Sequence, residues 1–287
     1  MVNIKTYTFL CAIILIPVLV SCNRTEKMND ELYPAKMYED FPYDLSKPDT
    51  VFKLSYELVE ISGLSNYNDR SLLAVQDENG IVFQIDARTG IIEKKVNFNK
   101  NGDYEGIEYV DSLVYILNSN GNLYYFVYPG SGNSVQVDQI KTGLGKKENV
   151  EGITVSNDGS ELYISSKDGP EKNIFTFSKD NLNSVRSISV KEIKNFVSQQ
   201  NIQTVTKVKF KPSGISIHPL SGDIYILTHT GKAILTLDNQ FKIISFVQLN
   251  PYRFPQPEGI CFTSDGTMFI SNEGNFQNST LLKFSMR

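Results

Sequence analysis

Residues 103–109 read DYEGIEY, and the same Glu-Gly-Ile returns in NVEGITV at 149–155 and in QPEGICF at 256–262. Two looser echoes are EISGLSN at 60–66 and KPSGISI at 211–217. Aligned on the glycines Gly63, Gly106, Gly152, Gly214 and Gly259, the phrases lie 43, 46, 62 and 45 residues apart. A second glycine follows each one, at Gly80, Gly121, Gly169, Gly231 and Gly274, at offsets of 17, 15, 17, 17 and 15. A period in the forties with several short strands per unit is the requirement of a β-propeller blade. The first unit divides into an innermost strand GLSNY, then SLLAVQ, IVFQID and IIEKKVNF, with turns at NDR, DENG and ARTG.

The one long interval exceeds its neighbours by a stretch in which SVKEIKNFVSQQ, 189–200, has helical spacing. An insertion is expected there; six blades, one of them degenerate, is the alternative. After Gly259 the last unit supplies three strands, ICFT, TMFIS and TLLKFSM, while TVFKLSYEL at 50–58 is a strand without a blade. Pairing the two ends would close the ring and remove an open sheet edge. The expectation is an all-β, five-bladed β-propeller over 50–287, closed by an N-terminal strand.

The N-terminus has a different texture. Lys5 precedes the apolar run FLCAIILIPVLV, too short and wrongly flanked for a spanning helix but suited to a secretory signal. The run ends in Leu19-Val20-Ser21-Cys22, which resembles a bacterial lipobox. Residues 1–22 therefore read as a lipoprotein signal peptide, with Cys22 the lipidated residue, and acyl chains of that kind make a firm membrane anchor. Residues 23–49, polar and containing three prolines, read as a tether whose last third runs along the domain surface. The location implied is the bacterial cell envelope, on the periplasmic or surface side. Cys261 lies alone in an apparent core strand, where a cysteine behaves as a small hydrophobe. The net charge of −4 is modest and Lys/Arg do not cluster, which argues against a nucleic-acid partner. A monomer is expected.

Immediately before the five glycines stand Ser62, Glu105, Glu151, Ser213 and Glu258. In an up-and-down blade the entry to the innermost strand and the turn after the second strand share one face. Glu105, Glu151 and Glu258 should therefore gather at the channel mouth. Around them should stand Asp77, Glu78, Asn118, Ser119, Lys167, Asp168, His229, Asn272 and Glu273. Inherited turn chemistry is the competing explanation of a polar residue before glycine, although turns favour Asp, Asn or Ser over Glu. Carboxylates facing one channel repel, so they either hold protons or require a cation. Oxygen donors fit a hard divalent ion, and no His/Cys cluster suggests zinc or copper.

The phrases ELVEISGLS, LLAVQDENGIVFQID, GDYEGIEY, NVEGI, PSGISIHPLSGDIYIL and PQPEGICFTSDGTMFISNEG together resemble the SdiA-regulated (YjiK-like) family over roughly residues 40–287. The resemblance implies a five-bladed propeller, distantly related to NHL-repeat propellers, with a bound calcium. Its signature falls on Glu105, Glu151 and Glu258, and Glu60, Asp77, Glu78 and Glu273 lie in matching phrases. The family leaves the biochemical role undefined. Three functions are compatible: a lipid-anchored calcium-binding module with a ligand or partner at its mouth, a calcium-dependent hydrolase of phytase-like or lactonase-like type, or a structural envelope protein. There is no GxSxG, HExxH or Walker loop. Lys146, Lys147, Lys167 and Arg253 lie in loops that could reach the mouth and clamp a phosphate ester. His218 reads as structural.

Overall fold

The computed structural model describes residues 39–287 except 157, 170, 179–180, 201–207 and 275–277. The expected signal peptide, Cys22 and most of the expected tether lie outside the described residues. Five four-stranded antiparallel sheets form the molecule. Blade 1 is β2 (Ile61–Asn68), β3 (Ser71–Gln76), β4 (Ile81–Asp86) and β5 (Ile92–Asn97). Blade 2 is β6 (Tyr104–Val110), β7 (Leu113–Asn118), β8 (Asn122–Val127) and β9 (Asp138–Lys141). Blade 3 is β10 (Val150–Val155), β11 (Leu162–Ser166), β12 (Lys172–Ser178) and β13 (Asn181–Ile188). Blade 4 is β14 (Lys211–Ile217), β15 (Ile224–Thr230), β16 (Ala233–Leu237) and β17 (Ile243–Gln248). Blade 5 is β18 (Pro257–Phe262), β19 (Met268–Asn272) and β20 (Thr280–Phe284), completed by β1 (Thr50–Lys53) paired antiparallel to β20. The fold is thus a five-bladed propeller with the expected closure, and the six-blade alternative is not what forms.

The innermost strands neighbour one another in ring order, β2 to β6, β10, β14, β18 and back to β2. The phrase glycines make this approach possible. A Cβ on Gly63 would stand 3.0 Å from the Cα of Gly106, and one on Gly152 would stand 2.9 Å from the Ile215 nitrogen. On Gly214 it would stand 2.7 Å from the Glu258 carbonyl oxygen, and on Gly259 2.9 Å from Cγ of Leu64. Every blade also breaks register at this point, between Ile61 and Gly63, Tyr104 and Gly106, Val150 and Gly152, Pro212 and Gly214, and Pro257 and Ile260. The residue before each glycine is therefore the extra residue of a β-bulge, which leaves the ladder and re-aims its side chain.

Between adjacent blades lie five apolar clusters, one for each interface. The insertion is helix α1 (Val190–Gln199), capped by Ser189, whose Oγ accepts from the Glu192 N–H at 3.1 Å. It sets Ile193 and Val197 into the cluster between blades 3 and 4.

Two expectations near the N-terminus need correction. The stretch 50–58 is strand only to Lys53; Tyr56–Leu58 is a turn of 3-10 helix behind Ser55, which lets Leu54 and Leu58 both point into the core. Nor is the tether polar to residue 49, because Phe41, Tyr43 and Leu45 are buried between blades 4 and 5. The Tyr43 hydroxyl donates to the Gly266 carbonyl at 2.7 Å and meets His218 Nε2 at 2.8 Å, while His218 Nδ1 accepts from the Ser221 N–H at 3.1 Å. Burial holds the His218 proton affinity down, so this ring is a neutral structural pin, as expected.

The glycine ring yields a stability test. Gly214→Ala should destabilise the domain by about 1–3 kcal/mol, the usual penalty of forced overpacking. Gly130→Ala, where a Cβ meets nothing within 4 Å, should change stability by less than about 0.5 kcal/mol. Equal denaturant midpoints for the two variants would show that axial crowding does not constrain the fold.

Candidate functional site: the acidic mouth

In blades 1, 2, 3 and 5 the turn after the second strand returns to the phrase through one repeated hydrogen bond. Asp77 N donates to Glu60 O, Ser119 N to Asp103 O, Lys167 N to Asn149 O and Glu273 N to Gln256 O, at 2.9–3.2 Å. These bonds place the second-glycine turns and the bulges on one face, as the repeat implied.

The bulge position is used in two ways. In blades 1 and 4 it carries serine: Ser62 Oγ donates to the Tyr104 carbonyl at 2.6 Å, and Ser213 Oγ to the Pro257 carbonyl at 2.8 Å. Each bond ties a blade to the next. In blades 2, 3 and 5 the same position sends Glu105, Glu151 and Glu258 to the axis. All three line a narrow central cavity of about 10 Å³ together with the five phrase glycines, room for about one water. Glu151 and Glu258 are buried and Glu105 is half-buried.

Two nitrogen-bearing side chains enter this group. Lys167 Nζ stands 2.8 Å from Glu151 Oε1, and His229 Nδ1 stands 3.0 Å from Glu258 Oε1. Glu105 has no such partner among the described residues. Burial, then the charges of Glu151 and Asp103, push its carboxyl well above the ordinary range. Burial raises Glu151 too, against the opposing pull of Lys167.

A second acidic group adjoins the first at the seam of blades 1 and 5. Burial and the neighbouring Glu60, Glu273 and Glu78 push Asp77 up to about 7. Burial and the charge of Glu258 raise Glu273, whose Oε2 accepts from Gln256 Nε2. The Glu60 carboxylate is among the charges that raise Asp77, and the buried Asp77 Oδ1 has no hydrogen-bond partner among the described residues. Glu78 stands exposed at the rim.

The seven acids singled out from sequence thus fall into an axial trio and a seam group, linked by Glu258 and Glu273. Asp103, absent from that set, faces both Glu105 and Glu151; its signal was its place three residues before the glycine, the column that also holds Glu60. Asp168 is drawn aside by Lys211 at 2.9 Å and by Asn149 at 3.0 Å. Arg253 reaches back to the Leu45 carbonyl at 3.5 Å instead of forming a phosphate clamp. Among the described residues, no three His, Cys, Asp or Glu side chains stand in metal-binding geometry. The seam nevertheless has the chemistry of a hard-cation site, with oxygen donors only, mutual repulsion and one unpartnered buried oxygen.

The pH dependence of stability follows from these acids. A carboxyl with raised proton affinity in the fold stabilises the protonated protein, and that stability is lost as pH rises through the folded value. For Asp77 the window runs from its ordinary 3.8 to about 7, and Glu105 extends it upward. In chelator the melting temperature should fall between about pH 5 and about pH 8, and the fall should be shallower in Asp77→Asn. Parallel profiles for the two proteins would contradict the raised proton affinity.

Among solved structures, glutaminyl cyclase from Myxococcus xanthus is similar at 12% identity and a TM-score of 0.57, covering 84% of this chain and 97% of that one. The PQQ-bound aldose sugar dehydrogenase of Streptomyces coelicolor is similar at 12% identity and a TM-score of 0.53, covering 84% and 98%. A luciferin-regenerating enzyme gives 10% identity and a TM-score of 0.51, covering 83% and 95%. At such identities the likeness is one of fold. Comparison with curated protein sequences finds no match. The SdiA-regulated family matches residues 50–278, which run from β1 through β19 of the last blade, and the chain belongs to that family.

Proposed function

We propose that this protein is a lipid-anchored propeller of the bacterial cell envelope whose acidic mouth binds calcium and receives a ligand or protein partner. One observation carries the reading: acids from four blades converge on one face, where burial and neighbouring carboxylates raise the proton affinity of Asp77 and Glu105 and the buried Asp77 Oδ1 has no partner among the described residues. Glu60, Asp77 and Glu273 are the residues best fitted to hold the ion, because Glu151 and Glu258 already have Lys167 and His229 beside them. Bound there, calcium would neutralise the seam and hold the β3–β4 turn against the blade 5 turn that contains Glu273. Calcium suits an irregular set of oxygens, whereas magnesium demands a tight octahedron and sheds water reluctantly.

The alternative is a calcium-dependent hydrolase of phosphate-ester or lactone type. The axial cavity is too small to admit a substrate, and Lys167, the cation nearest the trio, is engaged by Glu151. These features favour binding over hydrolysis. The enzymes of similar fold lend no activity at 12% identity or below.

Calorimetric titration of chelator-stripped protein tests the metal. Calcium should bind and raise the melting temperature with mass-action dependence. Asp77→Asn should abolish uptake, and a triple Glu→Gln variant at 105, 151 and 258 should weaken it less. No uptake by stripped wild type would remove calcium from the proposal; loss confined to the triple variant would move the ion to the axis.

The anchor has its own test. Cys22→Ala should leave a protein that no longer incorporates labelled fatty acid and partitions to the soluble fraction. Unchanged labelling and membrane partitioning would overturn the lipobox reading.

A further inference from the structure

The axis has a second end. Two residues beyond each phrase glycine stand Ser65, Glu108, Thr154, Ser216 and Cys261, one from every innermost strand. All five line a cavity of about 350 Å³ on the face opposite the acidic mouth. Pockets of a few hundred cubic ångströms are the size that holds a small molecule. The intervening column, Leu64, Ile107, Ile153, Ile215 and Ile260, lines the narrow axial cavity instead and separates the two ends.

Glu108 is held in place from several sides. Its Oε1 accepts from Ser65 Oγ at 2.8 Å and from the Tyr109 N–H at 3.0 Å, and Thr154 and the Val155 N–H also donate to the carboxyl. Burial still lifts this carboxyl to about 7, because no cation faces it: none of the described residues lining the cavity is Lys, Arg or His. The rim adds Asp111 and Asp158, both exposed. Asp111 sits on the two-residue turn between β6 and β7, where Asp111 and Ser112 have φ of 49° and 70°, as in a type I′ hairpin.

One further polar group beside the lining lacks a partner: the Asn66 Oδ1 atom is buried without a hydrogen bond among the described residues, and an orphaned polar group of that kind is costly. Val110, Val155, Ile217 and Phe262 supply apolar wall between the deep carboxylate and the acidic rim.

We propose that this cavity binds a small aliphatic diamine or polyamine, with one ammonium on Glu108, the methylene chain on the apolar wall and a second ammonium at the Asp111 and Asp158 rim. The site is independent of the calcium mouth and does not rest on it. A neutral diol of the same length fills the space but supplies no charge to Glu108. A metal ion could meet the charge but would leave the apolar wall empty.

The test is calorimetric titration of the full chain with diaminobutane, with butanediol as the neutral counterpart. Diaminobutane should bind at one equivalent, butanediol should not, and saturating calcium chloride should leave diamine binding unchanged. Glu108→Gln should weaken binding at least about tenfold, the scale of losing one member of a buried charge pair. Ser216→Leu, which fills the cavity without touching Glu108, should block it as well. The triple Glu→Gln variant at the mouth should bind as wild type does. Absence of diamine binding, equal binding of butanediol, competition by calcium, or loss in the mouth variant with retention in Ser216→Leu would each overturn the proposal. Should Glu108→Gln fail to fold, Ser216→Leu and the mouth variant still decide between the two ends of the axis.

Discussion

Five strands meet at the axis with no room for a Cβ between their backbones, and the rest of the molecule follows from that crowding. Glycine is required wherever one innermost strand passes the next, as at Gly63 against Gly106 and Gly214 against the Glu258 carbonyl. The strand cannot keep ladder register through so close an approach, so each blade carries a bulge at the same point. A bulge frees one residue per blade from pairing and turns it toward the neighbouring blade or the axis. The repeated phrase is therefore a packing solution first and a source of functional groups second.

What each blade does with its freed residue separates the two roles. Ser62 and Ser213 are short enough to bond the carbonyl of the next blade, and they act as stitches in the ring. Glu105, Glu151 and Glu258 are too long for that bond and project onto the axis, where burial and neighbouring carboxylates raise the proton affinity of Glu105 and Glu151. Lys167 offsets part of the charge, and His229 stands beside Glu258. The remainder falls on Glu105 and on the seam around Asp77. Such a site costs stability unless something positively charged fills it, which is the physical ground for expecting a cation there.

The same geometry builds the other end of the axis. Strand alternation puts every second residue on the same face, so the position of the freed residue fixes the columns after it. One step past the glycine is apolar in all five blades and closes the channel. Two steps past is Ser, Glu, Thr, Ser and Cys, and these open into the second cavity. One repeat thus yields an acidic mouth, an apolar plug and a mixed polar pocket along a single axis.

By itself the sequence determined the fold, the closure and the face on which the acids gather. Axial crowding forces glycine into every blade at a near-constant period, and the strand missing from the last unit matched the spare strand at the N-terminus. The separation of charges was decided only by tertiary structure. Lys167 reaches Glu151 within its own blade, whereas His229 reaches Glu258 across the seam of blades 4 and 5, and no spacing along the chain encodes that second contact. The pin between Tyr43 and His218 joins residues 175 apart. It draws Phe41, Tyr43 and Leu45 into the core from a stretch whose prolines and charges read as tether. Glu108 shows the same limit from the other side. Its column was visible in the repeat, but Ser, Glu, Thr and Cys at one position have no common chemistry until the ring closes and makes them the wall of one cavity.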